Sequence, residues 1–299
     1  MVRAMRVVGV RRRRGKWGLG FLETGVLVLA TGLAGCQPRA RSPKVIFLDG
    51  AGHFGAGMSV RRGLEQAGYI GSFETFSWSS WLGPGADHLV VARSKGKAGQ
   101  LVAKIVESRR ALPEGKIYVM GLSAGTALIL SALEALPGDA CVDAVVLFSP
   151  SVSANRNLSK ALRHVKGRLY ATCSPHDGIL SALSVNADGG SGPPAGLGGF
   201  RLPIRLRREE MAEYQKVVNI PWQGSYAGFG WHGGHVQVTT SGFIQHVVAP
   251  RMLSVEAYPL DRGMVGGGLS GPGRSGEVRP ASGASAWPGA LGAPSLVAR

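Results

Sequence analysis

Three cysteines in 299 residues, Cys36, Cys141 and Cys173, are too few for a disulfide-stapled scaffold. If Cys36 serves another purpose, Cys141 and Cys173 form the one possible pair. The strand pattern places Cys141 at the start of one parallel strand and Cys173 at the end of another. Several residues at about 3.3 Å each then separate them, beyond disulfide reach, so both are expected as buried thiols. No cysteine or histidine spacing has the form of a zinc site. The glycine-rich stretches contain no G-x-x-x-x-G-K-[ST] phosphate loop and no strand-to-helix dinucleotide fingerprint. Neither a metal nor a cofactor is expected. Acid is scarce as well, with 18 Asp and Glu against 34 Lys and Arg and a formal net charge of +16. The basic residues scatter over predicted helices and loops without interleaved aromatics, so no nucleic-acid partner is expected. Solvated faces, or attraction to an anionic envelope surface, account for them. No internal repeat is present.

What is there begins with an export-like leader. Arg3, Arg6, Arg11 to Arg14 and Lys16 precede an apolar stretch that is interrupted by Glu23 and ends in Leu33-Ala34-Gly35-Cys36. The uninterrupted apolar run, 24–35, is shorter than the roughly 20 residues of a conventional span. Small residues before a cysteine resemble the lipobox of bacterial lipoproteins, which implies lipidation at Cys36 and a chain anchored by lipid in the cell envelope. The leader holds seven basic residues and one acid, so about +10 of the +16 remains beyond it. The arginine run leaves the export route, general or twin-arginine, open.

The expected organisation is a leader over 1–36, a polar tether over 37–43, one domain over 44–255 and a Gly/Pro/Ser-rich disordered tail over 256–299. Within the domain, strand patterns at 44–48, 72–78, 116–120, 142–148, 168–172 and 216–222 alternate with helical patterns at 60–67, 97–112, 124–136, 157–165 and 239–253. Such alternation predicts a mostly parallel sheet of about five to six strands with helices on both faces. Residues 188–199 read as a glycine-rich loop that could form a short lid. The aromatic segment 76–81 suits core packing or the mouth of a pocket.

Gly121-Leu122-Ser123-Ala124-Gly125 has the form G-x-S-x-G. In a chain with 46 glycines and 26 serines that pattern arises roughly 0.6 times by chance. Its position carries more weight than its letters, because an apolar strand pattern precedes it and an apolar helix follows. Here the chain resembles the α/β-hydrolase superfamily, over about residues 44–253. The resemblance implies a compact α/β-hydrolase fold; the chain departs from the larger superfamily in having no strands before the oxyanion segment and no obvious room for a large lid domain. The resemblance also implies a nucleophile, acid and histidine in that order along the chain. Ser123 is the nucleophile. Asp177, in the turn after the strand at 168–172, is the acid, since the segment after 142–148 offers none. The histidine is His235, with His232 the second choice; His53, His88, His164 and His246 have no partner in the expected places, and His176 reads as a turn residue. The oxyanion donors implied are the N–H of Ala124 and one from the segment holding Gly50 and Ala51.

The activity implied is hydrolysis of carboxylic esters, lipid or small acyl esters, through an acyl-serine at the cell envelope. The same three residues also serve acyltransferases and peptidases, and a silent scaffold that binds an envelope partner is the alternative from another class. Oligomeric state is not legible.

Overall fold

The computed structural model describes residues 42–52, 55–78, 95–183 and 185–253. The leader with Cys36, Trp81 at the end of the aromatic segment, His53, His88 and the expected tail lie outside the described residues. Six strands form one sheet: β1 (Lys44–Leu48), β2 (Ser72–Thr75), β3 (Ile117–Leu122), β4 (Ala144–Phe148), β5 (Leu169–Cys173) and β6 (Val217–Pro221). Their order is β2-β1-β3-β4-β5-β6, and every pairing is parallel.

Alternation along each strand sorts the core into two layers, because successive side chains point to opposite faces. Ile46, Leu48, Val119, Val145, Leu147 and Ala171 pack on one face with Leu101 and Ile105 of α2 (Lys95–Ala111) and with the apolar helix α3 (Gly125–Glu134). Val45, Phe47, Met120, Val146 and Phe148 pack on the other, against Val60 and Leu64 of α1 (Ala56–Gln66) and residues of the closing helical run. With both faces covered, strands β3, β4 and β5 are buried along their whole length and read as near-continuous apolar runs. The first crossover covers one face and the third strand feeds a helix on the other, so the chain diverges between β1 and β3. In open α/β sheets ligands bind outside the carboxyl edge at such a point of divergence.

Element boundaries differ from expectation by a few residues, and four differences have physical causes. The helix expected from residue 60 starts at Ala56, where the N–H is accepted by a distant carboxylate, that of Asp49. The helix expected over 239–253 is α over Ser241–Phe243, π over Ile244–Val248 and α over Ala249–Leu253. Pro250 lies in that run; a proline ring has no N–H and crowds the carbonyl four residues back, which the wider π register accommodates. Three further helices, α5 (Gly178–Ser181), α6 (Ala195–Gly198) and α7 (Arg208–Tyr214), follow α4 (Ser159–Arg163) without having been expected.

The fourth difference concerns the glycine-rich segment, read as a loop that could form a short lid, which is fastened down by hydrogen bonds. Asp188 accepts the Ser153 N–H and pairs with Arg156, while the Asn186 amide donates to Gly190 and Gly192 carbonyls at 2.8 Å each. The N–H groups of Ala187, Ala195 and Gly196 donate to the carbonyls of Ser151, Val152 and Pro150. A cleft of about 460 Å³ between this segment and α5 is lined by Leu180, Leu183, Val185 and Leu197, and neither Ser123 nor His235 lines it. Both described cysteines are free: Cys173 is buried, which pushes its thiol up to about 11, and Cys141 is only half-buried.

Candidate active site

Ser123 follows β3 directly and stands at φ 53°, in the left-handed region that side chains other than glycine avoid. Such a conformation costs on the order of 1–3 kcal/mol and persists only where the surroundings enforce it. The enforcing contacts are backbone ones: the Ser123 N–H donates to the Phe148 carbonyl at 2.9 Å, and the Ser123 carbonyl accepts the Thr126 N–H at 3.0 Å and its hydroxyl at 2.5 Å. The chain thereby turns from strand to helix within two residues. Gly125 permits the tightness, since a Cβ there would stand 2.6 Å from the Asp49 carbonyl oxygen. Among the described residues only Ser149, at the end of the neighbouring β4, shares the positive φ without being glycine.

Asp177 lies four residues beyond β5 and caps α5, its Oδ1 accepting the Leu180 N–H at 3.0 Å. Its Oδ2 is 2.7 Å from His235 Nδ1, and neither side chain is more than 2% exposed. Both carboxylate oxygens are thus engaged. The ring is held with Nδ1 toward the acid, so the neutral imidazole carries its proton there and presents Nε2 as an acceptor. That Nε2 is buried and has no hydrogen-bond partner among the described residues.

The histidine loop owes its course to Trp231, which is fully buried among Tyr226 and Phe243 with ring centroids 5.8 and 4.6 Å away. Its indole N–H donates to the Gly234 carbonyl at 3.1 Å, and its own carbonyl accepts the Trp222 indole at 3.0 Å. Gly233, at φ 92°, is needed for a close approach: a Cβ there would stand 2.9 Å from His176 Cβ and 3.0 Å from Ser174 Oγ. The surface approached is therefore the turn carrying Asp177. His232, the second choice, is exposed, and its backbone N–H donates to Gln237 Oε1. The geometry joins His235 to Asp177 and leaves His232 outside. His176 packs edge-on against Trp222.

The segment after β1 borders the serine turn, because Leu48 pairs with Gly121 in register. Of its donors, the Gly50 N–H is taken by Asp49 Oδ1 at 2.8 Å. The N–H groups of Ala51 and Ala124 have no hydrogen bond among the described residues, although both residues are buried. Trp78 is also buried, with its indole N–H on the Asp49 carbonyl at 2.8 Å, so this end of the aromatic segment serves packing. Sequence reasoning treated Asp49 only as part of a glycine-bearing turn. An acid directly after a buried strand was the signal present. Among the described residues no group of three or more His, Cys, Asp or Glu could hold a metal ion.

No family model matches the chain, and no curated protein matches it. Among solved structures it is similar to Est1E from Butyrivibrio proteoclasticus, at 12% identity and a TM-score of 0.40, covering 72% of this chain and 88% of that one. It is similar also to a cutinase-like protein from Cryptococcus sp., at 15% identity and a TM-score of 0.36, covering 70% and 93%. A third likeness is to a protein described as a hydrolase of the α/β superfamily from Xanthomonas campestris, at 14% identity and a TM-score of 0.33, covering 69% and 96%. These likenesses concern shape alone. Six parallel strands in the order above, helices on both faces and a strained serine turn after β3 make this a compact α/β-hydrolase fold.

Proposed function

We propose that the protein is a serine hydrolase of carboxylic esters, with Ser123 as nucleophile, His235 as base and Asp177 as the acid that orients the base. The observation that carries this reading is the buried His235–Asp177 pair, whose Nε2 is left without a partner at the edge where Ser123 is held in a strained turn. In this reading Ser123 Oγ attacks the ester carbonyl, the Oγ–C bond forms and the hydroxyl proton passes to His235 Nε2. Negative charge moves to the carbonyl oxygen, which the N–H groups of Ala124 and Ala51 stabilise, Gly50 being already engaged. The imidazolium, steadied by Asp177, returns the proton to the leaving alcohol. Water then repeats the sequence to release the acid and free Ser123. The substrates are lipid or small acyl esters met at the cell envelope, with lipid on Cys36 as the anchor.

The test is covalent. Ser123→Ala should abolish hydrolysis of p-nitrophenyl esters and labelling by a fluorophosphonate while the circular dichroism spectrum is unchanged. Labelling that persists in the variant would remove Ser123 from the role.

A further inference from the structure

Asp49 is a carboxylate taken almost wholly out of water, at 3% exposure, with no cationic partner among the described residues. A buried charge is tolerated only where hydrogen bonds replace its hydration. Here the replacements are two backbone donors on opposite sides of one loop: Oδ1 accepts the Gly50 N–H at 2.8 Å and Oδ2 accepts the Ala56 N–H at 3.1 Å. Ala56 is the first residue of the eleven-residue α1, whose N-cap, Gly55, makes no side-chain cap hydrogen bond. The Asp49 carboxylate therefore satisfies a free donor at the positive end of that helix, where negative charge is favoured. The main chain is fixed too, since the Asp49 carbonyl accepts the Trp78 indole N–H and lies so close to Gly125 that no side chain fits there.

Each of these contacts acts on the same stretch of backbone. The carboxylate bridges the N–H groups of residues 50 and 56 and so ties the end of β1 to the start of α1. It consumes the Gly50 N–H, whereas that of Ala51 has no hydrogen bond among the described residues. The Asp49 main chain itself lies against the serine turn, its carbonyl oxygen meeting Gly125. An oxyanion donor works only if its position is set before the charge develops, because reorganisation at the moment of reaction forfeits the stabilisation.

We propose that Asp49 is the positioning residue of this loop: its carboxylate selects Ala51 over Gly50 as the oxyanion donor and holds it in place, a role that rests on the serine-hydrolase reading above. Asp49 touches no reacting atom, and its contribution should surface in the transition state and not in ground-state binding.

The experiment uses the full-length chain with Asp49→Ala, Asp49→Asn and Trp78→Phe. The last variant removes the indole donor to the Asp49 carbonyl and leaves the carboxylate untouched. For Asp49→Ala, kcat on p-nitrophenyl butyrate should fall about 10- to 100-fold with KM unchanged. Asn keeps one acceptor and should lose less. A trifluoromethyl ketone, whose adduct with Ser123 carries an oxyanion, should bind more weakly by the factor that kcat loses, whereas butyrate, which forms no adduct, should bind as before. Trp78→Phe should lower kcat by a smaller factor, again at constant KM. An unchanged kcat in folded Asp49→Ala, or a loss confined to KM, overturns the proposal. If both Asp49 variants fail to fold, the test passes to Asp49→Glu, which keeps the charge and displaces it by one methylene, and an unchanged kcat in that variant overturns the proposal. Failure of a fluorophosphonate to label Ser123 in the unaltered chain would instead remove the hydrolase reading and this proposal with it, a result distinct from normal labelling with normal turnover in the variants.

Discussion

Replacing Asp177 by asparagine keeps the shape of the side chain and reverses the sense of one hydrogen bond. The amide oxygen can still accept the Leu180 N–H, which turns the amide nitrogen toward His235 Nδ1. Nδ1 must then accept, so the ring proton moves to Nε2, the atom required to take the serine proton. Asp177→Asn should therefore lower kcat by about 10⁴-fold with little change in KM or thermal stability. His232→Ala, at an exposed side chain with only its backbone in a hydrogen bond, should change kcat less than about twofold. Steady-state kinetics on one ester checks both, and the opposite ranking would exchange the two histidines. Ser123 and Asp177 were legible from strand-adjacent position. Asp49 was not, because its part depends on a donor seven residues away that only the folded loop brings near.

The strands were legible because a sheet covered on both faces demands apolar runs with β-branched residues, and β3, β4 and β5 have them. The short helices α5 and α6 were not. Four residues carry no helical period, and these helices exist because their ends are tied to neighbours: Asp177 caps α5, and Gly196 of α6 exchanges backbone hydrogen bonds with Pro150 and Ser174. The same holds for the glycine-rich segment, whose composition reads as mobile although Asp188 secures it. Asp188 is 6% exposed in its side chain and pairs with Arg156, which pairs in turn with Glu134 of α3. Removing Asp188 leaves Arg156 to Glu134 alone and takes the acceptor from the Ser153 and Gly190 N–H groups, so Asp188→Ala should lower unfolding free energy by about 1–3 kcal/mol in urea titrations. Limited proteolysis should then begin within 186–199. A variant as resistant as the unaltered chain would make the segment self-supporting.

For the whole chain, alternation of strand and helix patterns was enough to expect one parallel α/β layer structure, but not the order of its strands. Order depends on which crossovers go to which face, a property of α1 and α3 packing on opposite sides that no local pattern records. The leader belongs to this scale as well. Cys36→Ala should abolish incorporation of a labelled fatty acid and shift the protein from the membrane to the soluble fraction; unaltered membrane retention would point to the apolar run itself as the anchor.

Parallel strands give the sheet a polarity with a consequence for reach. Lys44 opens β1 at the amino edge, and Ser123 leaves β3 at the carboxyl edge, so the two are separated by a strand of five residues, about 17 Å. A molecule moored through residues preceding Lys44 would keep that distance as a built-in stand-off. Its carboxyl edge, with the candidate site, would look away from the mooring.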